Sequence, residues 1–155
     1  MGKATIVNPP NLLGDVTAAP GGIRIADALT KAAANLEAIR APSLEAMDGY
    51  IAELEALCAE GGARPSEAIA RQIYDLSNDV IGVAGVFSLN DLSAAAFSLC
   101  ELVDRFRSMG RWNQAAVLVH LSSFRLLRHP GAEGEHADVL DGLNALTRQA
   151  SSIAT

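Results

Sequence analysis

The sequence lacks the excess of basic residues and the long apolar runs that are typical of proteins that bind nucleic acids or membranes. Its 155 residues include 12 lysines and arginines against 18 aspartates and glutamates, for a formal net charge of −6. Nucleic acids and anionic membranes are bound by basic surfaces, so this balance argues against both as partners. No apolar run approaches the roughly 18 residues of a membrane-spanning helix, and the N-terminus lacks the pattern of a signal peptide. A cytoplasmic location is therefore predicted.

Cysteine and histidine are also scarce. Cys58 and Cys100 lie in apolar helical runs and form no C-x-x-C pair, so buried, reduced thiols are expected. His129 and His136 are seven residues apart with no accompanying cysteine, which fits no common zinc pattern; both are expected at the surface near helix ends. The sequence predicts no metal site and no cofactor. It also contains no catalytic triad, phosphate-binding loop or acid–base carboxylate pair, so no enzyme is expected.

What the sequence does contain favours helices. The composition is 50% hydrophobic and 5% aromatic, and apolar residues recur at spacings of three and four throughout. Residues 1–22 contain prolines and glycines without periodicity and are predicted to be a flexible lead-in. A single all-α domain is expected over residues 23–153, built from six helices near 23–39, 43–60, 66–87, 90–109, 111–128 and 135–151. The first of these should end at Ala41-Pro42, because the residue before proline avoids helical geometry.

The stretch YDLSNDVIGVAGVF, from Tyr74 to Phe87, combines an apolar stripe with an unusual outward face. The stripe is expected to contain Ile69, Ile73, Leu76, Val80 and Val83. At roughly 100° per residue, Asn78 falls opposite the centre of that stripe, and its predicted neighbours on the outward face are Tyr74, Ile81, Gly82 and Gly85. A glycine inside a helix costs about 1 kcal/mol relative to alanine. Two on one face therefore predict close approach by a neighbouring helix or by a docked partner.

The same stretch resembles the signature helix of histidine phosphotransfer (HPt) domains in alphaproteobacterial phosphorelays. Their pattern, A-H-D-[IL]-K-G-x-[AG]-[GA]-x-F-G-[YL], aligns with residues 77–89, and a later S-L-C triplet aligns with residues 98–100. Residues 119–127 are similar to the family's V-H-x-x-A-L-R-x-[LV] run. The matching segments together span roughly residues 23–150. Within the signature, the matches are Asp79, Gly82, Gly85 and Phe87.

The resemblance implies both a fold and a missing chemistry. The fold would be an antiparallel four-helix bundle made from the second to fifth helices, with the first and last helices outside it. The phosphoacceptor histidine of the pattern falls on Asn78 and its lysine falls on Ile81. An asparagine amide has no nucleophilic nitrogen, and an isoleucine offers no charge to phosphoryl oxygens. The expected function is a pseudo-HPt protein that binds a response-regulator receiver domain or a histidine kinase without accepting phosphate, through Tyr74, Asn78, Ile81, Gly82 and Gly85.

Two alternative functions stay open at the level of sequence. An active phosphotransfer protein would need another acceptor, such as His120 in the matched later run, although a hydrogen-bonded core histidine is the favoured state there. A purely structural bundle would instead self-associate as a homodimer through the apolar face near Ile81. The predicted fifth helix is apolar almost all round, with Val119 and Leu126 among its apolar residues, which is typical of burial on more than one side.

Overall fold

The computed structural model describes residues 21–129 and 136–152, and every regular element within these ranges is an α-helix. The five helices, in chain order, are α1 (Ile25–Gly61), α2 (Glu67–Val86), α3 (Asn90–Met109), α4 (Gln114–Leu127) and α5 (Ala137–Ser152). The prediction of an all-helical protein is confirmed. Among the described helices, none combines the length and the apolar character needed to cross a membrane.

The first two predicted helices are a single helix, so the expected break at Ala41-Pro42 was wrong. α1 continues through Pro42 without interruption. Proline removes only its own N–H from the helical hydrogen bonds and crowds the preceding turn, at a cost of about 3 kcal/mol. Alanine, leucine and glutamate, which favour helix, are frequent on both sides of the proline. The helical preference of this flanking sequence opposes the local cost.

Contacts divide the chain into two compact units, Met1–Ile39 and Arg40–Thr155, and the division falls inside α1. Residues 1–20 of the predicted lead-in lie outside the described residues. In the described part of the first unit, residues 21–39, every residue is exposed.

Polar side chains set the starts of two helices in the second unit. The Ser66 hydroxyl accepts a hydrogen bond from the Ile69 N–H at 3.2 Å and caps α2, as its sequence position predicts. The Asn113 side chain accepts from the Ala116 N–H at 3.2 Å. This cap starts α4 three residues later than the predicted start near Arg111, because an N-cap residue itself has non-helical geometry.

α3 is the central helix of the second unit. It packs against α2, α4 and α5, and its buried residues are Leu92, Ala95, Ala96, Ser98, Leu99, Cys100, Leu102, Val103 and Phe106. The second part of α1, from Arg40 to Gly61, is joined to α4 by two salt bridges, each with two hydrogen bonds. Arg125 donates to Glu55 at 2.7 and 2.6 Å, and Arg128 donates to Asp48 at 2.6 and 3.2 Å.

α4 is buried on one face only, which contradicts the expectation of burial on several sides. Val119 and Leu126 are about half exposed, at 48% and 54%. The buried face of α4 instead includes two polar residues, His120 and Ser123, among apolar ones. Because these polar residues face inward, the apolar residues on the opposite side of the helix face solvent.

Candidate functional site

The buried stripe of α2 is rotated from the predicted one. It consists of Ala70, Ile73, Ser77, Val80 and Ala84. At about 100° per residue, its centre lies roughly 60° from the centre of the predicted stripe. The expected members Leu76 and Val83 are half-buried at its edge. Ser77 is fully buried because its hydroxyl donates to the Ile73 carbonyl at 2.7 Å, which satisfies the polar group within the helix.

The outward face of α2 contains Asn78, Gly82 and Gly85, and all three are exposed. A Cβ atom built on Gly82 or Gly85 would meet no heavy atom within 4 Å outside the helix's own backbone. Close packing by a neighbouring helix was one of the two sequence-based explanations of these glycines, and the described residues supply no such neighbour. The two glycines instead lie on an open surface.

Tyr74 and Ile81 lie differently from the prediction. Both were expected on the fully outward face, and both are half-buried and packed against the core. The rotation of the buried stripe explains this, since it moves these two positions to within roughly 80° of the stripe's centre. The five predicted contact residues therefore form an exposed group of three, bordered by two half-buried side chains.

The exposed rim of this face is acidic. Asp75 and Asp79 lie one turn apart and are both exposed, as expected for a solvated edge. The Arg71 guanidinium lies 3.7 Å from the Asp75 carboxylate, on side chains that are 70% and 60% exposed. At such exposure water screens the pair strongly, so the rim presents carboxylates to any approaching molecule.

On the side of α2 that faces α3, a thiol contacts the backbone. Cys100 on α3 donates from its Sγ to the Tyr74 carbonyl at 3.7 Å. Burial raises the pKa of the Cys100 thiol to about 11, and burial also raises the pKa of Cys58. Both cysteines are free and buried, as predicted. Neither thiol is ionised enough at neutral pH to act as a nucleophile.

His120 is a core residue with no exposed surface. Its Nδ1 lies 2.9 Å from the Ala116 carbonyl, which can only accept, so Nδ1 carries the hydrogen. Nε2 then accepts from the Ser98 hydroxyl at 3.1 Å, and Thr147 Oγ1 lies 2.9 Å from the same hydroxyl. Burial lowers the pKa of His120. Both ring nitrogens are engaged and shielded from solvent, so His120 is a poor phosphoacceptor in this fold.

Sequence reasoning did not identify this polar cluster, which joins α3, α4 and α5. Ser98 and Thr147 are ordinary residues in helical patterns, and only the packing of three helices brings them to His120. His136 was also misplaced by the sequence. It is 7% exposed rather than a surface residue, because its Nδ1 pairs with the Asp91 carboxylate at 3.0 Å.

A cavity lies elsewhere in the second unit, away from the predicted contact residues. It has a volume of about 620 Å³, and its lining includes Arg64, Arg107 and Trp112. Arg107 donates to the Glu67 carboxylate at 2.8 Å, and the buried Trp112 indole N–H has no acceptor among the described residues. None of the five predicted contact residues lines this cavity. The candidate site on α2 is thus an open helical face rather than a pocket.

The candidate site has no ligand set for a metal. Within the described ranges no group of three or more histidine, cysteine, aspartate or glutamate side chains could hold an ion. Comparison with protein-family models, with curated proteins and with solved structures found no match to this chain.

Proposed function

We propose that this protein is a pseudo-HPt protein of phosphorelay signalling, which binds a receiver domain or a histidine kinase through the outward face of α2 and accepts no phosphate. The proposal rests on one observation above others: Gly82 and Gly85 lie in mid-helix with open space where their side chains would be. Each lowers helix stability by about 1 kcal/mol relative to alanine. A surface that another molecule must approach closely accounts for both.

A second feature supports the resemblance to HPt domains at the end of α2. Ser88 has a φ of 60°, a left-handed conformation that glycine adopts without strain. In the alignment with the HPt pattern, Ser88 falls on the position where the family has glycine. The backbone therefore has the conformation that the family's residue would favour. The four-helix arrangement of that family, built here from the second part of α1 together with α2, α3 and α4, is part of the same proposal.

The chemistry of the face supports binding rather than transfer. Asn78, at the acceptor position, is exposed but offers only an amide. Ile81, at the lysine position, is half-buried and uncharged. A receiver brings an acidic pocket to this helix, so the carboxylates of Asp75 and Asp79 should lie outside that pocket. We infer that basic residues of the partner surround its pocket and face these two aspartates.

The test is Gly82→Leu, measured for both binding and stability. Purified receiver domains and histidine kinases of the same organism are titrated against the immobilised native chain and against the variant. We expect binding to weaken at least about tenfold, because a leucine at the centre of the face holds the partner's backbone away, and tenfold corresponds to about 1.4 kcal/mol. The Tm should stay equal or rise slightly, since leucine is a better helix former by roughly 0.8 kcal/mol.

Gly49→Leu is the matched control. Gly49 also lies inside a helix, α1, and a Cβ built on it also meets nothing within 4 Å. The control should raise stability similarly and leave binding unchanged. A drop in Tm of Gly82→Leu alone would contradict the open-face assignment, and undiminished binding would contradict the docking site.

A phosphorylation assay tests the second half of the proposal. Incubated with an active kinase, its receiver and ATP, the native chain should acquire no acid-labile phosphate. Label on His120 would instead establish an active phosphotransfer protein.

A further inference from the structure

The first part of α1 presents an apolar seam that no described residue covers. We define the seam as Ile25, Leu29, Ala32, Leu36 and Ile39. Its four large side chains are between 46% and 80% exposed, and every residue from 21 to 39 is exposed. A monomeric protein rarely leaves so many aliphatic side chains of one helix in water.

The spacing of the seam is that of a coiled coil. Its residues follow one another at intervals of four, three, four and three. In a heptad lettered a to g, this order places Leu29 and Leu36 at a, and the two isoleucines and Ala32 at d. An average interval of 3.5 residues keeps a stripe facing a second helix along its length.

We infer that the seam is a self-association surface, and that a second copy of this chain covers it through its own seam. The proposal goes beyond the docking face on α2 and uses none of its residues. Small residues border the seam at Ala26, Ala28 and Ala33, so two such helices can approach closely. Ala32 at the centre lies between larger side chains and gives the same close approach midway.

The charges of the segment oppose pairing with another copy of itself only weakly. Residues 24–40 contain three basic and two acidic side chains, a net charge of +1. With −6 for the whole chain, the remaining residues carry −7. Two whole chains, each at −6, repel one another, whereas two copies of this segment, each at +1, do so only weakly. Of the five charged residues, Arg40 borders the seam beside Ile39, and the other four lie off the seam and its borders.

The size of the seam sets the expected strength. Fifteen helical residues span about 22 Å, which is two heptads. An interface of one short stripe belongs to the weak end of protein–protein contacts. Self-association should therefore be visible at tens of micromolar, at a Kd on the order of 10 μM, and be lost on dilution.

The test is sedimentation velocity of the full native chain, of the double variant Leu29→Glu/Leu36→Glu and of a matched control. The protomer mass is 16.2 kDa. At about 50 μM, roughly five times that Kd, about three-quarters of the native chains should be dimeric, so the average mass should be about 1.7 times the protomer mass, whereas the double variant should stay at one protomer. The control, Thr30→Glu/Ala38→Glu, adds the same charge to the same helix away from the seam and should behave as the native chain.

A cross-linking experiment locates the contact. Ala32→Cys, at the centre of the seam, should form an intermolecular disulfide on mild oxidation, whereas Ala34→Cys on the opposite side should not. A native chain that is monomeric at about 50 μM would overturn the proposal. So would an oligomer that Leu29→Glu/Leu36→Glu leaves intact, since the contact would then lie elsewhere. These outcomes are independent of the Gly82→Leu experiment, which concerns a different helix and a different partner.

Discussion

The apolar residues in the two parts of α1 have the same spacing, but those of the first part are exposed and those of the second part are buried. Its first part carries the seam, whose large side chains are exposed. Its second part carries Met47, Ile51, Leu54 and Cys58, spaced by four, three and four, and each is at most 4% exposed. The second stripe is covered within the chain, where the two arginine–carboxylate bridges join α1 to α4.

This difference shows what periodicity can and cannot predict. A repeat near 3.5 residues locates the face of a helix that must leave water. It does not say whether the cover comes from the same chain or from another molecule. In α1 the first stripe is exposed and the second is buried within the chain, although the two have the same spacing in the sequence.

The strongest test of this difference replaces one leucine in each stripe. Leu54→Ala should lower the free energy of unfolding by about 2–5 kcal/mol, because it leaves a cavity in a closed core. Leu36→Ala should change it by no more than about 0.5 kcal/mol, because its side chain is 46% exposed in the single chain. Both values come from urea denaturation at low protein concentration, where self-association is absent.

The same two variants have the reverse order in self-association. Leu36→Ala should weaken it, and Leu54→Ala should not while the protein stays folded. If Leu36→Ala destabilised the dilute chain as much as Leu54→Ala, the seam would be covered within its own chain.

The sequence predicted the helices well where local chemistry sets them. The Ser66 cap and the end of α3 before Gly110 follow from residues adjacent in the chain. The break at Pro42 was wrong because a single lost hydrogen bond does not outweigh favourable sequence on both sides. The exposure of Asn78, Gly82 and Gly85 was predicted correctly, although their role as a docking face stays a prediction.

The sequence failed where polar side chains are buried. Ser77 on α2 and Ser123 on α4 donate to carbonyls of their own helices, at 2.7 and 2.6 Å. Once satisfied in this way, a serine packs like an alanine, and the buried face turns toward it. Larger apolar residues then lie at the edge of that face or outside it, as Ile81 and Val119 do. Hydrophobicity alone gives the wrong rotation for α2, and for α4 it wrongly predicts burial on several sides.

Lowering the pH should reduce the stability of the core and leave self-association through the seam unchanged. The pKa of His120 is lowered in the fold, so the unfolded chain binds its proton first as the pH falls. The stability linked to His120 is fully present above the unfolded pKa near 6.5 and is lost below it, by at most about 1.4 kcal/mol per pH unit. We expect urea denaturation to show this loss between pH 7.5 and 5.5.

The control is His120→Gln, which removes the titrating group. This variant should be less stable at pH 7.5 and should lose much of the pH dependence over that interval. Residues 21–40 contain no histidine, so sedimentation of the native chain should keep its oligomer over the same range while it stays folded. An unchanged pH dependence in His120→Gln would assign the effect to another group.

The smallest expected effect comes from a substitution at the end of α2, which should raise the free energy of unfolding and leave self-association unchanged. Gly62, Ser88 and Gly110 each follow a helix and each have a φ between 54° and 60°. A left-handed residue other than glycine costs roughly 1–2 kcal/mol, because its Cβ crowds the backbone. Glycine also loses more freedom on folding, which offsets part of that gain. Ser88→Gly should therefore raise the free energy of unfolding by about 0.5–1 kcal/mol and leave self-association unchanged.

The control, Ser122→Gly, lies within the exposed face of α4 and should lower stability by about 0.5 kcal/mol, because glycine is the poorer helix former. Opposite signs for the same substitution would show that conformation at Ser88 decides the result. A loss of stability in both variants would mean that the serine side chain stabilises this turn by more than its strain costs.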